Sequence, residues 1–200
     1  MAGKRSLICG IGINDADYVV SEKVDGKYET CPYYQKWVSM FKRCYCKHYQ
    51  KDKPSYIGCS VCEEWIKFMT FKAWMVQQEW DGRHLEKDIL FPENKVYSPE
   101  TCVFVTPTVN GFVLDCSRSR GDTPIGVTWN NRLSKYVAQC SDPFTARRTV
   151  HLGCYDCPQV AHQAWRTYKH SLALRLANEL ELTGIASDLR VAAALRTRYL

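Results

Sequence analysis

In the segment RHLEKDILFPENKVYSPETC, residues 83–102, a histidine and two carboxylates recur at every second position: His84, Glu86 and Asp88. If the segment is extended, alternate side chains share a face, so these three point one way while Leu85, Lys87 and Ile89 point the other. A base beside two acidic oxygen donors is the equipment of metal-assisted hydrolysis. The same alternation also fits an ordinary charged strand face. The surrounding elements must decide between the two readings.

Cysteine offers a rival chemistry. Cys44-X-Cys46-X-His48 followed by Cys59-X-X-Cys62 holds enough ligands for a tetrahedral zinc ion. Cys44 and Cys62, however, fall on apolar helical faces, where a free cysteine behaves as a small core residue, and this argues against zinc held by Cys44, Cys46, Cys59 and Cys62. Cys154-X-X-Cys157 lacks the βαβ surroundings of a redox motif and reads as turn and packing residues.

The elements that position these residues follow from periodicity. Residues 1–30 read as a polar, glycine-bearing N-terminal arm. Trp37, Met40, Phe41 and Cys44 recur at helical spacing, as do Cys62, Trp65, Ile66 and Met69, which predicts two helices joined by the loop KHYQKDKPSYIG. A hairpin over 83–105 comes next. Thr106-Pro107 has the form of an N-cap with proline at the first helical position, and Val109, Phe112, Val113 and Cys116 then repeat as a core-facing stripe. Asn110 lies early on that helix. The outline is strand, turn, strand, helix, closing a region that runs over 31–117.

The turn-forming residues 118–123 read as a linker. IGVTWN, KYVAQC and RRTVHLGCY alternate or carry the residues of short strands, and a helix opened by Cys157-Pro158 presents Val160, Ala161, Ala164, Trp165, Tyr168 and Leu172 on one side. Three strands and a helix thus make a small module over 124–182. Thr183-Gly184 interrupts the chain, and Ser187 can cap a final helix within 183–200.

Composition narrows the function classes. With 46% hydrophobic residues in 200, the chain has enough apolar content to fold around a core rather than remain disordered. It carries no apolar run of bilayer length and no secretory signal, so a soluble cytoplasmic protein without a membrane partner is expected. Eleven cysteines, an odd number, favour reduced thiols over a disulfide framework. Residues 1–116 hold 15 Lys+Arg against 15 Asp+Glu, whereas residues 117–200 hold 12 against 6, ten of the twelve being arginine. A basic module joined to a neutral one suits a nucleic-acid partner, although a solvated basic surface has the same signature.

Taken in order, WVSMFKRCY, YIGCSVCEEW, YSPETCVFVTPTVN and IGVTWN…KYVAQC…RRTVHLGCYDCPQVAHQAW resemble the phage HNH-type endonucleases that carry a C-terminal AP2-like DNA-binding domain. The resemblance covers roughly residues 31–178. It implies an α+β fold, with an HNH-like ββα-metal region followed by an AP2-like three-stranded antiparallel sheet and one packed helix. It further implies a divalent cation, Mg²⁺ or Mn²⁺, double-stranded DNA as partner, and the cytoplasm of an infected bacterial host as location.

Carried over by position, Glu86 stands where the family has its acidic metal ligand and Asn110 stands at the ligand position on the helix. Asp88 supplies a further oxygen donor, so that Glu86, Asp88 and Asn110 form the expected metal set. Two positions depart from the pattern. Lys87 occupies the place of the general-base histidine, and lysine near its ordinary pKa of about 10.4 cannot take a proton from water, although it can hold a phosphate. Thr101 occupies the place of a loop-steadying asparagine. His84, on the face of Glu86, is the substitute base, and the expected catalytic set is His84, Glu86, Lys87 and Asn110.

For the C-terminal module the resemblance places DNA contacts on the strands, at Trp129, Arg132, Lys135, Gln139, Arg147, Arg148 and His151. Arginine and glutamine can read base edges and lysine can hold phosphate, while Trp129 equally fits a small core. Three readings remain: a DNA endonuclease, a catalytically silent DNA-binding protein of the same fold, and a phage protein that binds a host protein through its aromatics.

Overall fold

Asp25 and Gly26 both take positive φ, 48° and 80°, the backbone that a two-residue hairpin turn needs to match the twist of its strands. They join β1 (Ser21–Val24) to β2 (Lys27–Thr30) in antiparallel register, Ser21 facing Thr30. The hairpin sits inside the stretch expected to be an arm. The computed structural model describes residues 6–114, 122–145 and 149–200. It divides into two compact units, one ending at Phe104 and the other beginning at Val105. Both are mixed α and β with small sheets.

In the N-terminal unit, α1 (Pro32–Tyr45) opens with proline in its first turn and buries Trp37, Met40, Phe41 and Cys44, the face that helical spacing predicts. The connection after it is not a plain loop. It forms α2 (Lys47–Asp52), because the Gln50 amide donates to the carbonyls of Arg43, Cys44 and Tyr56 at 3.1, 2.7 and 3.3 Å. One side chain thereby serves carbonyls that the end of α1 leaves open. The second helical region also differs from its expected span. Glu63–Ile66 is a 3₁₀ turn, and α3 (Phe68–Met75) buries Phe68, Phe71 and Met75.

The strands of this unit pair non-locally. β3 (Ser60–Val61) lies parallel to β5 (Val96–Tyr97), and β4 (His84–Glu86) pairs with β6 (Val103–Val105), so the segment expected as one hairpin feeds two sheets. Trp37, Trp65, Phe68, Phe71, Tyr97 and Phe104 fill the core, and Trp37 Nε1 donates to the Trp65 carbonyl at 2.7 Å. An indole buried whole needs such a partner. Residues 8–16 run along this core. A Cβ on Gly12 would stand 2.9 Å from the Trp37 ring, and Ile13 N donates to Ile66 O at 2.8 Å.

In the C-terminal unit, the Thr106 hydroxyl accepts from Val109 N at 3.3 Å at the start of α4 (Pro107–Val113), the cap that the sequence predicts. Cys116, expected at the end of its stripe, lies outside the described residues. β7 (Val127–Asn130), β8 (Lys135–Ser141) and β9 (Thr149–Tyr155) form an antiparallel three-stranded sheet in that order, with a bulge beside Ala138 and Gln139. α5 (Pro158–Glu181) packs on the sheet through Ala161 and Ala164, against Val127 and Ala138. Gly126, at φ 79°, lies so close to Trp165 that a Cβ would stand 2.0 Å from its ring.

The buried stripe of α5 is Ala161, Trp165, Lys169, Leu172, Ala173, Leu176, Ala177 and Leu180. Val160, expected to pack, is 53% exposed, because it lies one residue off the stripe. Lys169 lies in it. The final helix, α6 (Ala186–Thr197), is not capped by Ser187. Thr183 does that work instead, its hydroxyl accepting from Ile185 N at 3.1 Å while bonding to Asp188 Oδ2 at 3.0 Å. No helix among the described residues is long and apolar enough to cross a membrane.

Candidate functional site

Burial alternates along residues 84–89, although the strand ends at Glu86 and the chain bends from Lys87 onward. Leu85, Lys87 and Ile89 are buried, Glu86 and Asp88 half-buried, and His84 exposed. The structure thus brings Glu86 and Asp88 together. Burial first, then the charge of Asp88, pushes the Glu86 carboxyl up to about 7. The neighbouring negative charge thus favours the protonated form of Glu86. Asp88 keeps 40% of its side chain in solvent, which leaves the pair reachable.

His84 stands two residues before Glu86 on β4, about 7 Å along the strand. Burial, followed by the charges of Lys36 and Arg43, lowers its pKa, so the ring is largely neutral at pH 7 and free to accept a proton. Lys36 reaches this end of the strand from α1, donating to Arg83 O at 2.6 Å. Arg43, in the last turn of α1, donates to Leu85 O at 3.2 Å and to the Tyr97 hydroxyl at 3.4 Å. Its charge opposes the upward shift of Glu86. Arg43 and Tyr97 were not singled out by sequence reasoning. Basic residues near the end of a helix signal only a favourable dipole.

Lys87 is not presented on this surface. It is 4% exposed, with Nζ donating to Asp88 Oδ2 at 2.9 Å and to Asn94 O at 2.8 Å. Just past the end of β4 the chain bends and turns Lys87 into the protein, where it is an internal clamp and not a ligand for phosphate. Asn94, which sequence reasoning passed over, answers it: Nδ2 donates to Lys87 O and to Val96 O, each at 2.7 Å. Asn94 rather than Thr101 therefore supplies the amide that braces this loop. Thr101 makes a smaller tie, its hydroxyl donating to Val96 O at 2.8 Å.

Asn110 is half-buried on α4 and belongs to the C-terminal unit. Among the described residues no group of three or more His, Cys, Asp or Glu side chains gathers to hold a metal ion. The oxygen donors that the structure brings together are Glu86 and Asp88. Two carboxylates with water and substrate phosphate are a sufficient set for Mg²⁺, which keeps much of its hydration. At the cysteines, burial and then Cys59 push the Cys44 thiol up to about 12, and burial foremost pushes Cys62 up to about 11. Thiols raised in this way hold their protons at neutral pH.

On the sheet, directly opposed residues share a face. Gln139 faces His151, and Thr128 faces Val137 with Lys135 two residues before it, so Lys135, Gln139 and His151 lie on the surface turned away from α5. Trp129 does not join them. It faces Tyr136, on the side of Val127, with ring centroids 4.7 Å apart, yet it is 46% exposed rather than core. Arg132 is exposed in the β7–β8 turn, and Lys135 is paired with Asp156 at 2.9 Å. Arg147 and Arg148 lie outside the described residues. A comparison with family models found no match, and neither did comparisons with curated proteins and with solved structures.

Proposed function

We propose that the protein is an HNH-type, divalent-cation-dependent DNA endonuclease whose C-terminal unit carries an AP2-like sheet for duplex DNA. The observation that carries this reading is the solvent-reachable Glu86–Asp88 pair with His84 on the same strand. Mg²⁺ or Mn²⁺, when bound, would stabilise charge on the phosphate and its leaving oxygen. Glu86 and Asp88 hold it. His84, kept neutral by its surroundings, accepts the proton of the attacking water, and Arg43 fixes the strand beneath the pair through Leu85 O. On the sheet, Gln139, His151 and Arg132 meet the duplex.

The experiment is supercoiled plasmid incubated with Mg²⁺ or Mn²⁺. Nicking that His84→Ala slows by about 10²-fold or more, and that Glu86→Ala abolishes, supports the reading. Because the His84 pKa is lowered, the acid limb of the rate profile falls below pH 6.5. A second reading, a silent DNA-binding protein of phage origin, is favoured by Lys87, which is locked inside where the family has its histidine. Intact duplex binding with no cleavage under either metal selects it. Binding to a host protein is a third outcome, expected to be insensitive to salt that dissociates DNA.

A further inference from the structure

Wholly inside the C-terminal unit, α5 and the end of the chain line a recess of about 420 Å³, within the range of small-molecule sites. Its polar wall is cationic: Arg166, Lys169 and Arg198, with His162 beside them, and no described lining residue is acidic. Trp165 and Tyr199 supply the apolar wall, their rings edge to face at 5.9 Å. Arg166 is held by the backbone oxygen of Leu200.

Lys169 and Arg198 meet no acidic side chain among the described lining residues. Lys169 is 7% exposed, with Nζ 2.7 Å from Phe112 O and 3.5 Å from the centre of the Phe112 ring, so only neutral groups receive its proton-rich end. Burial, assisted by the charge of Arg198, lowers its pKa to about 8. Arg198 Nη1 is buried without a hydrogen-bond partner. A buried guanidinium nitrogen left unpaired is costly, and two like charges facing one another compound the cost. An anion in the recess removes both penalties.

We propose that this recess is a binding site for a small phosphomonoester, held by Arg198 and Lys169 with its apolar body against Trp165 and Tyr199. The inference goes beyond nuclease action and does not depend on Glu86 or Asp88. A dianionic phosphate matches the two unneutralised cations, and arginine offers it a planar fork of donors. Duplex DNA carries single charges along a rod too wide for such a recess, so a free phosphomonoester is the better occupant.

The test is calorimetric titration of the full chain, in metal-free buffer, with deoxyadenosine 5′-monophosphate, deoxyadenosine and inorganic phosphate. Saturable binding of the monophosphate, at least about tenfold tighter than the nucleoside, supports the site. Arg198→Gln should weaken it by about tenfold or more with a melting temperature no lower than the native chain's, and Lys169→Met serves as the second variant. Equal binding of inorganic phosphate also supports it and assigns the affinity to the phosphoryl group. Equal binding of nucleoside, absence of saturation at millimolar monophosphate, or an unaffected Arg198→Gln overturns it. So does competition by an unphosphorylated duplex at the same concentration. Glu86→Gln should bind like the native chain, which separates this site from the nuclease reading.

Discussion

Lys87 and Asn94 bind each other reciprocally: the lysine ammonium donates to Asn94 O at 2.8 Å and the asparagine amide donates to Lys87 O at 2.7 Å. The exchange closes the loop between them at both ends and fixes the chain that carries Asp88. Asn94→Ala keeps the main-chain oxygen that receives the ammonium but removes the amide, which frees Lys87 O and leaves Val96 O to Thr101 alone. We expect a loss of about 1–3 kcal/mol in urea unfolding, together with weaker Mg²⁺ binding. Unchanged stability would mean that the clamp contributes nothing.

The carboxylate pair makes stability depend on pH. Glu86 holds its proton to about 7 in the folded chain, against an ordinary value of 4.5. Between those values the folded state binds more protons than the unfolded state, so this group lowers stability as pH rises from about 4.5 to 7. Glu86→Gln should flatten that part of the melting-temperature profile. Added Mn²⁺ should raise the native melting temperature more at pH 8 than at pH 5.5, and the variant should lose this response.

Asp156 neutralises the one lysine on the outer face of the sheet, Lys135, through an exposed pair. Such pairs add little to stability. Asp156→Asn should therefore leave the melting temperature nearly unchanged and tighten duplex binding, with a steeper salt dependence. Filter binding across a salt series reads both quantities. Weaker binding in the variant would remove this face from the interface.

Gly126 has no room for a side chain. Its positive φ and its approach to the Trp165 ring act together, and Gly126→Ala should cost about 2–4 kcal/mol through strain and overpacking. Calorimetry should show the loss in the C-terminal unit's transition. A two-degree shift or less would mean that the indole moves aside freely.

The sequence foretold elements whose signal is local. The α1 face, the Thr106 cap, the three strands of the C-terminal sheet and the alternation at 84–89 all follow from spacing along a few turns or residues. Partners at long range were not legible, since nothing in Ser60–Val61 announces Val96–Tyr97 as its neighbour. Asn94 was hidden for the same reason, its role being set by two carbonyls that meet only after folding. Lys169 was passed over: nothing in the spacing marks one lysine on a helix as buried, and only the closed stripe shows it. Asp25-Gly26 was a strong local hairpin signal that the arm reading overlooked.

Four of the six tryptophans, Trp37, Trp65, Trp74 and Trp80, belong to the N-terminal unit, and Trp37 and Trp65 are fully buried. The other unit holds one shielded indole, Trp165, and one wet indole, Trp129. Intrinsic fluorescence therefore reports two different events at two wavelengths. Loss of blue-shifted emission follows melting around the aromatic core, while red-edge emission follows the sheet face that carries Trp129, opposite Gln139 and His151, so one optical trace can separate events in the two units.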